Sequence, residues 1–221
     1  MKRAVCFDMN ETLINLNLLE DKFREHFKDP YAMKYWFSKL LHSSTVIGMM
    51  GAYTDFGILA NFALENLFYE NEMKLSESTK SEILSSFENL PAYDDVKLAV
   101  RLLKENSFAV IAVSNSSFDM IKTQLTKAGI VDMFDSYYSV EVVAAYKPIK
   151  DVYHFVAEKE NFDLSKSFMV ATHDWDLYGA KKAGMKTAYI ERGRELFHKN
   201  YPNPDLRSSS LQDLAQQIIN Y

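Results

Sequence analysis

Polar and apolar positions along the chain fall into three textures. Residues 3–8 (RAVCFD) are a short, nearly unbroken apolar run ending on an acid, the pattern of a strand covered on both faces in a parallel sheet. From about residue 16 to 90 the chain is rich in large side chains. The stretches 32–50 (AMKYWFSKLLHSSTVIGMM) and 55–73 (DFGILANFALENLFYENEM) carry apolar residues three and four apart, which predicts helices. Residues 74–90 predict one more helix, and Pro91 ends it. Beyond Pro91 the rhythm alternates. Helices are expected over 94–106, 117–130 (stopped by Gly129), 151–162 and 175–185. Strands are expected over 108–115, 136–143, 167–174 and 186–192.

Strands alternating with helices of this length predict an α/β fold, a doubly wound parallel sheet. Because the all-helical block follows the first strand, the chain reads as two parts. An α/β core is expected from residues 1–15 and 91–221, with a helical cap domain inserted as residues 16–90 and placed over the sheet edge as a lid. In open sheets of this kind ligands bind beyond the carboxyl ends of the strands. Four strand ends carry chemistry there: Asp8 after the first, Ser114 and Asn115 after the second, Lys147 beyond the weak third, and the Thr172, His173, Asp174, Asp176 cluster after the fourth. Their convergence predicts a site.

Composition narrows the classes. The 221 residues are 48% hydrophobic with a formal net charge of -5, enough for a real core and contrary to a nucleic-acid-binding surface. No apolar run approaches the roughly 18 residues a membrane span needs, and the start MKRAVCFD is interrupted by Asp8 too early for a signal peptide. The lone cysteine, Cys6, sits in the first strand as a small core residue and suits a reducing compartment. The expectation is a cytoplasmic protein.

The residue types suggest nucleophilic chemistry, each with a plainer alternative. An Asp kept ionised by a nearby ammonium is a competent nucleophile, but Asp8 and Lys147 also suit a structural ion pair. Thr12 suits either a hydroxyl donor to that carboxylate or an ordinary cap. Residues 114–117 (SNSS) precede a helix, where hydroxyls and free backbone N–H groups bind an anion or simply cap. Tyr153 and the cap aromatics Trp36, Phe37, Tyr53 and Phe56 suit a substrate wall or core packing.

FDMNETL (7–13), VSNSS (113–117), Lys147 with Pro148, and VATHDWDLYGAKKAGM (170–185) resemble the four ordered motifs of the haloacid dehalogenase superfamily of hydrolases, over essentially the whole chain. The helical insertion after the first motif matches that family's first cap type. The closest branch by resemblance is the 2-haloacid dehalogenases. The resemblance implies Asp8 as nucleophile through a covalent aspartyl ester, with Thr12 and Lys147 orienting it. It implies that Ser114 and Asn115 hold a small anionic substrate, and that Asp176 positions Lys147 or the hydrolytic water. Tyr153 and Trp175, with Trp36 and Phe37 of the cap, would line the site.

The departures define the alternatives. Phosphatases of this superfamily carry a second Asp where this chain has Asn10, and an amide cannot serve as a general acid. No cofactor is firmly implied. Were Mg²⁺ used, Asp8, Asn10 and Asp176 would hold it. Dehalogenases have an aromatic and a glycine where this chain has Asn10 and Glu11, and Asn10 is expected to shape the turn or touch substrate. They also have a halide-catching cap arginine where this chain has Phe37; Lys34 or His42 is the stand-in to test. His173 is either a structural residue or the group that activates water. Three functions follow: a 2-haloacid-type hydrolase, a Mg²⁺-dependent phosphatase of small esters, or a binding protein that has lost turnover. A homodimer is left open.

Overall fold

The computed structural model describes residues 2–193 and 195–221. Strand β1 (Ala4–Phe7) is buried at every position and lies at the centre of a parallel sheet. The other strands are β2 (Ala109–Ser114), β3 (Ser136–Ser139), β4 (Phe168–Ala171), β5 (Lys186–Ile190) and β6 (Leu206–Ser208). Their order is β3-β2-β1-β4-β5-β6, and every neighbouring pair is parallel. The sheet therefore grows from β1 outwards in one direction and then, from β4, in the other. The reversal between β1 and β4 is where a doubly wound sheet opens its crevice.

Helices α1 (Asn17–Arg24), α2 (Ala32–Met49), α3 (Phe56–Glu70) and α4 (Glu77–Glu88) all fall between β1 and the rest of the sheet. Each start has a local reason where the sequence offers a cap. Asp55 accepts the N–H groups of Gly57 and Ile58 at the head of α3, and Ser76 accepts that of Thr79 at the head of α4. The chain leaves for this block and returns from it side by side: Ile14 bridges Ala92 in antiparallel fashion, and the Asn15 N–H donates to Pro91 O at 2.9 Å.

Helices α5 (Val96–Glu105), α6 (Phe118–Lys127), α7 (Lys150–Glu160), α8 (Asp174–Lys182) and α9 (Leu211–Asn220) flank the sheet. Two features depart from expectation. The third strand stops at Ser139, whose side chain accepts the Glu141 N–H and turns the chain into a 3-10 turn over Val140–Val143. At this half-exposed edge that local bond replaces further ladder pairing. Strand β6 and α9 were not foreseen: three residues of strand leave too little pattern to read, whereas α9 does carry a helical stripe, Leu211, Leu214, Ala215 and Ile218, that sequence reasoning passed over. They are held by tertiary bonds: Thr187 O accepts the Asp205 N–H, and Asp95 accepts the Leu211 N–H. No described helix is long and apolar enough to cross a membrane.

Candidate active site

β1 runs straight into Asp8, whose N–H continues the ladder to Val170 O at 3.0 Å on β4. That bond fixes the backbone just where the side chain leaves the sheet. Lys147 reaches the same place from the segment after β3. Its Nζ lies 2.7 Å from Asp8 Oδ1, 2.7 Å from Asp176 Oδ2 and 3.0 Å from Val113 O. All three donors of the ammonium are thus spent, and its side chain is buried. Such a pair is stable only because each buried charge is matched and hydrogen-bonded. Asn115 Oδ1 accepts the Lys147 N–H at 2.9 Å and so pins its backbone. Gly179 on α8 lets Pro148 approach: a Cβ there would stand 2.5 Å from Pro148 O.

The other oxygen of Asp8 faces a different set. Asp8 Oδ2 accepts from Thr12 Oγ1 at 2.9 Å and from His173 Nδ1 at 2.9 Å. The Thr12 hydroxyl in turn accepts the Thr172 N–H at 3.0 Å, which leaves its single proton for Asp8. His173 Nε2 lies 2.9 Å from Glu11 Oε2. With a carboxylate at each ring nitrogen, both nitrogens must donate, and the ring is an imidazolium.

These contacts set the charges. Burial works against the Asp8 carboxylate, but Lys147 and His173 outweigh it and hold its carboxyl well below the usual range. Burial likewise opposes a charged His173, yet its bonds to Asp8 and Glu11 push it up to about 10. Asp176 goes the other way. Complete burial and the nearby Asp8 charge raise it, despite Lys147 and the Tyr153 hydroxyl at 2.5 Å from Oδ1.

Asp8, Asn10, Ser114, Asn115, Lys147, His173 and Trp175 line one cleft, closed from the helical side by Phe37 and Leu41 of α2 and Phe56 of α3. Its volume is about 10 Å³, the room of about one water. Ser114 Oγ accepts the Ser116 N–H at 3.1 Å and keeps its hydroxyl proton, and Asn115 uses its carbonyl oxygen on Lys147 and keeps its amide N–H donors. Asn10 Nδ2 donates to Ser116 Oγ at 3.3 Å, and its Oδ1 accepts from Gln124 Nε2 at 3.5 Å. The ring of His173 is stacked on Trp175 at 5.1 Å and lies 6.3 Å from that of Phe37. On its far side His173 borders a second cavity of about 170 Å³, shared with Glu11, Thr172, Lys34, Arg192 and Glu195.

The family profile of the haloacid dehalogenase-like hydrolases matches residues 2–184. The chain belongs to this family. Among curated relatives, (S)-2-haloacid dehalogenase 2 of Pseudomonas sp. (strain CBS-3) is 26% identical over 99% of this chain and 96% of its own. The solved L-2-haloacid dehalogenase of Xanthobacter autotrophicus superposes with a TM-score of 0.91 at 23% identity, over 99% of this chain and 98% of that one. A second structure of that enzyme, with chloropropionic acid covalently bound, matches with the same TM-score, identity and coverage. At this identity the two structures speak for the fold.

Within this member of the family, several sequence expectations need correction. Trp36 is not a wall of the cleft. It is fully buried among Phe23, Phe37 and Phe87, with Nε1 donating to Ala60 O at 3.0 Å, because helical spacing turned it into the block's own core. Tyr53 takes the packing alternative, with its ring against that of Tyr146. Tyr153 also stands outside the cleft, behind Asp176, to which its hydroxyl is bonded. Lys34 is paired with Glu195 at the outer cavity, and His42 is exposed, so neither stands in for a cap arginine. His173 has no lone pair to take a proton from water in this state.

The magnesium set Asp8, Asn10 and Asp176 does not fit a cation. All four carboxylate oxygens already accept hydrogen bonds, and the Lys147 ammonium stands between the two acids where a bridging ion would be. The Asn10 side-chain amide is turned to Ser116 and Gln124, so the main-chain carbonyl is what this residue could offer a cation. Among the described residues no group of three His, Cys, Asp or Glu side chains is placed to hold a metal.

Sequence reasoning missed Leu41, Gln124 and, most importantly, the contact of Glu11 with His173. The signal for Glu11 was present: a carboxylate three residues after Asp8, in the slot where the dehalogenase pattern has glycine. It has φ 59, the left-handed region that glycine prefers.

Proposed function

We propose that this hydrolase acts on a small anionic organic substrate, foremost a 2-haloacid, and that Asp8 is its nucleophile. One observation carries the reading. An ionised carboxylate, 2.7 Å from a buried ammonium, faces a narrow cleft whose helical wall is apolar. The Asp8 carboxylate attacks the carbon that bears the leaving group, the carbon–halogen bond breaks with its electron pair, and an aspartyl ester forms. Water then adds to the ester's carboxyl carbon and releases a hydroxy acid, regenerating the carboxylate. The balance is one water consumed, one halide and one proton released.

Thr12 and Lys147 orient Asp8, and Asp176, backed by Tyr153, holds Lys147. Ser114 and Asn115 offer donors to the substrate's anionic group, beside Asn10. Phe37 and Trp175 face its apolar part. The absence of an acid at Asn10 favours halide over alkoxide as leaving group: a halide departs unprotonated, whereas the alkoxide of a phosphate ester needs a proton donor. The named dehalogenase relatives point the same way.

Residues 16–90 act in this reading as a cap over a core of 1–15 and 91–221, and the paired crossing at Ile14 and Ala92 supports that division. A cytoplasmic site of action fits Cys6, buried in β1 with its thiol pushed up by burial. The reading holds for a monomer or a homodimer, and mass in solution distinguishes them.

The test is halide release from L-2-chloropropionate and phosphate release from a monoester, each with EDTA and with Mg²⁺. Halide release that EDTA leaves unchanged is expected. Phosphate release abolished by EDTA, with no halide release, would overturn the reading.

A further inference from the structure

Asp8 has two unlike oxygens. Oδ1 meets Lys147 alone, at 2.7 Å, whereas Oδ2 accepts two bonds, from Thr12 Oγ1 and His173 Nδ1, each at 2.9 Å. The oxygen with fewer partners keeps a lone pair for a carbon atom, so Oδ1 is the attacking oxygen and Oδ2 becomes the carbonyl oxygen of the ester. We propose that Thr12 Oγ1 and the His173 imidazolium form the oxyanion pocket for hydrolysis of the Asp8 ester, and that Glu11 is the positioning residue that keeps His173 aimed and charged. This rests on the functional reading above and adds the groups that serve its second half.

A water oxygen bonds to Cγ of the ester, and the carbonyl π pair moves onto Oδ2, between the two donors. Collapse re-forms the carbonyl and breaks the bond from Cγ to Oδ1, which leaves with the substrate carbon as the product hydroxyl. Of the two water protons, one ends on that hydroxyl and one in solvent. The water oxygen stays in Asp8.

Three features support the pocket. The Thr172 N–H occupies the Thr12 oxygen as a donor, so the hydroxyl proton is directed at Oδ2 rather than free to turn away. The two carboxylates at the His173 nitrogens leave the ring no role but donor, and its raised proton affinity agrees. Ester formation removes the charge of Asp8, so the imidazolium would then depend on Glu11 alone, 2.9 Å from Nε2. Glu11 makes that contact from φ 59, a backbone state unfavourable for a glutamate. Strain of this kind, with its side chain on a group that touches the nucleophile, marks a positioning role. Preorganised donors aimed at a developing oxyanion are worth more inside a water-excluded cleft than in solution.

The experiment compares wild type, His173→Ala, His173→Gln and Glu11→Gly with excess L-2-chloropropionate. Rapid quenching and intact-protein mass spectrometry would follow the adduct on Asp8 alongside halide release. Glu11→Gly removes the carboxylate at a position glycine accepts, so a misfolded loop cannot account for its phenotype. The expected result is a single halide burst followed by persistent adduct. Ester hydrolysis should slow by about 10²- to 10³-fold in His173→Ala, less in Glu11→Gly, and be partly rescued in His173→Gln, which keeps a donor. In resting wild type, imidazole ¹⁵N signals at pH 7.5 should report both His173 nitrogens protonated. Wild-type turnover with no adduct build-up in any variant, or a neutral resting His173, overturns this inference and leaves the function intact. A wild type that neither releases halide nor gains mass overturns the functional reading, and the inference falls with it.

Discussion

On the strand-end side of the cleft, Asp8, Thr12, Lys147, His173 and Asp176 are joined to one another by hydrogen bonds of 2.7 to 2.9 Å. On the helical side, Phe37, Leu41 and Phe56 present no polar atom at all. The floor is a closed electrostatic network in which moving one member leaves another charge unmatched. The roof is a packed surface in which a side chain can be exchanged for one of similar volume. In the proposed function, reaction chemistry is therefore assigned to the floor, and exclusion of water and choice of substrate shape to the roof.

The largest effect that would sharpen this contrast is Asp8→Asn. Halide release should fall by roughly 10⁴-fold or more, as expected when a covalent nucleophile is removed, with the fold retained by circular dichroism. Equal activity in wild type and variant would break the contrast outright.

Lys147→Met comes next. It strands two buried carboxylates on one side of the sheet, and removing one partner of such a network costs about 3–5 kcal/mol. A urea midpoint moved to match is expected, together with loss of turnover; an unshifted midpoint would show that the floor is not coupled.

A smaller effect is pH dependence. His173 is raised in the folded protein to about 10 from the ordinary 6.5. Its contribution is therefore complete below pH 6.5 and is lost as pH rises through about 10. Asp8 is depressed, so its contribution is present above the ordinary 3.8 and fades as pH falls below it. Urea midpoints should decline from neutral to alkaline pH in wild type, and this decline should be shallower in His173→Gln.

The smallest effect belongs to the roof. Phe37→Leu should cost less than about 1.5 kcal/mol. Its main readout should be a changed KM ratio between short and longer 2-haloacids, with kcat altered little. A kcat loss matching that of a floor variant would erase the division between the two sides.

Much of the floor was legible because a parallel strand buried on both faces advertises its end. RAVCF into Asp8 and AVIAV into Ser114 and Asn115 are unbroken apolar runs that stop on polar groups, and the polar groups then share the carboxyl edge of one sheet. The roof was less legible. Trp36 and Phe37 are adjacent, and a helical apolar stripe is the same whether it faces the block's own core or the cleft; only packing sends Trp36 inward and Phe37 to the site. Strand β6 is three residues long and too brief to carry a period.

By itself the sequence determined the order of elements as far as β5 and the place of the helical insertion, since these follow from periodicity, and chemistry at strand ends made Asp8, Thr12, Lys147 and Asp176 the candidates. Tertiary structure alone decided which oxygen of Asp8 meets which donor. It also decided that Lys147 stands between two acids and that Glu11 and His173 pair across 162 residues of separation. Those facts depend on distances of a few tenths of an ångström and on a local dielectric set by burial. Neither quantity exists until the sheet has closed and the helices have covered it.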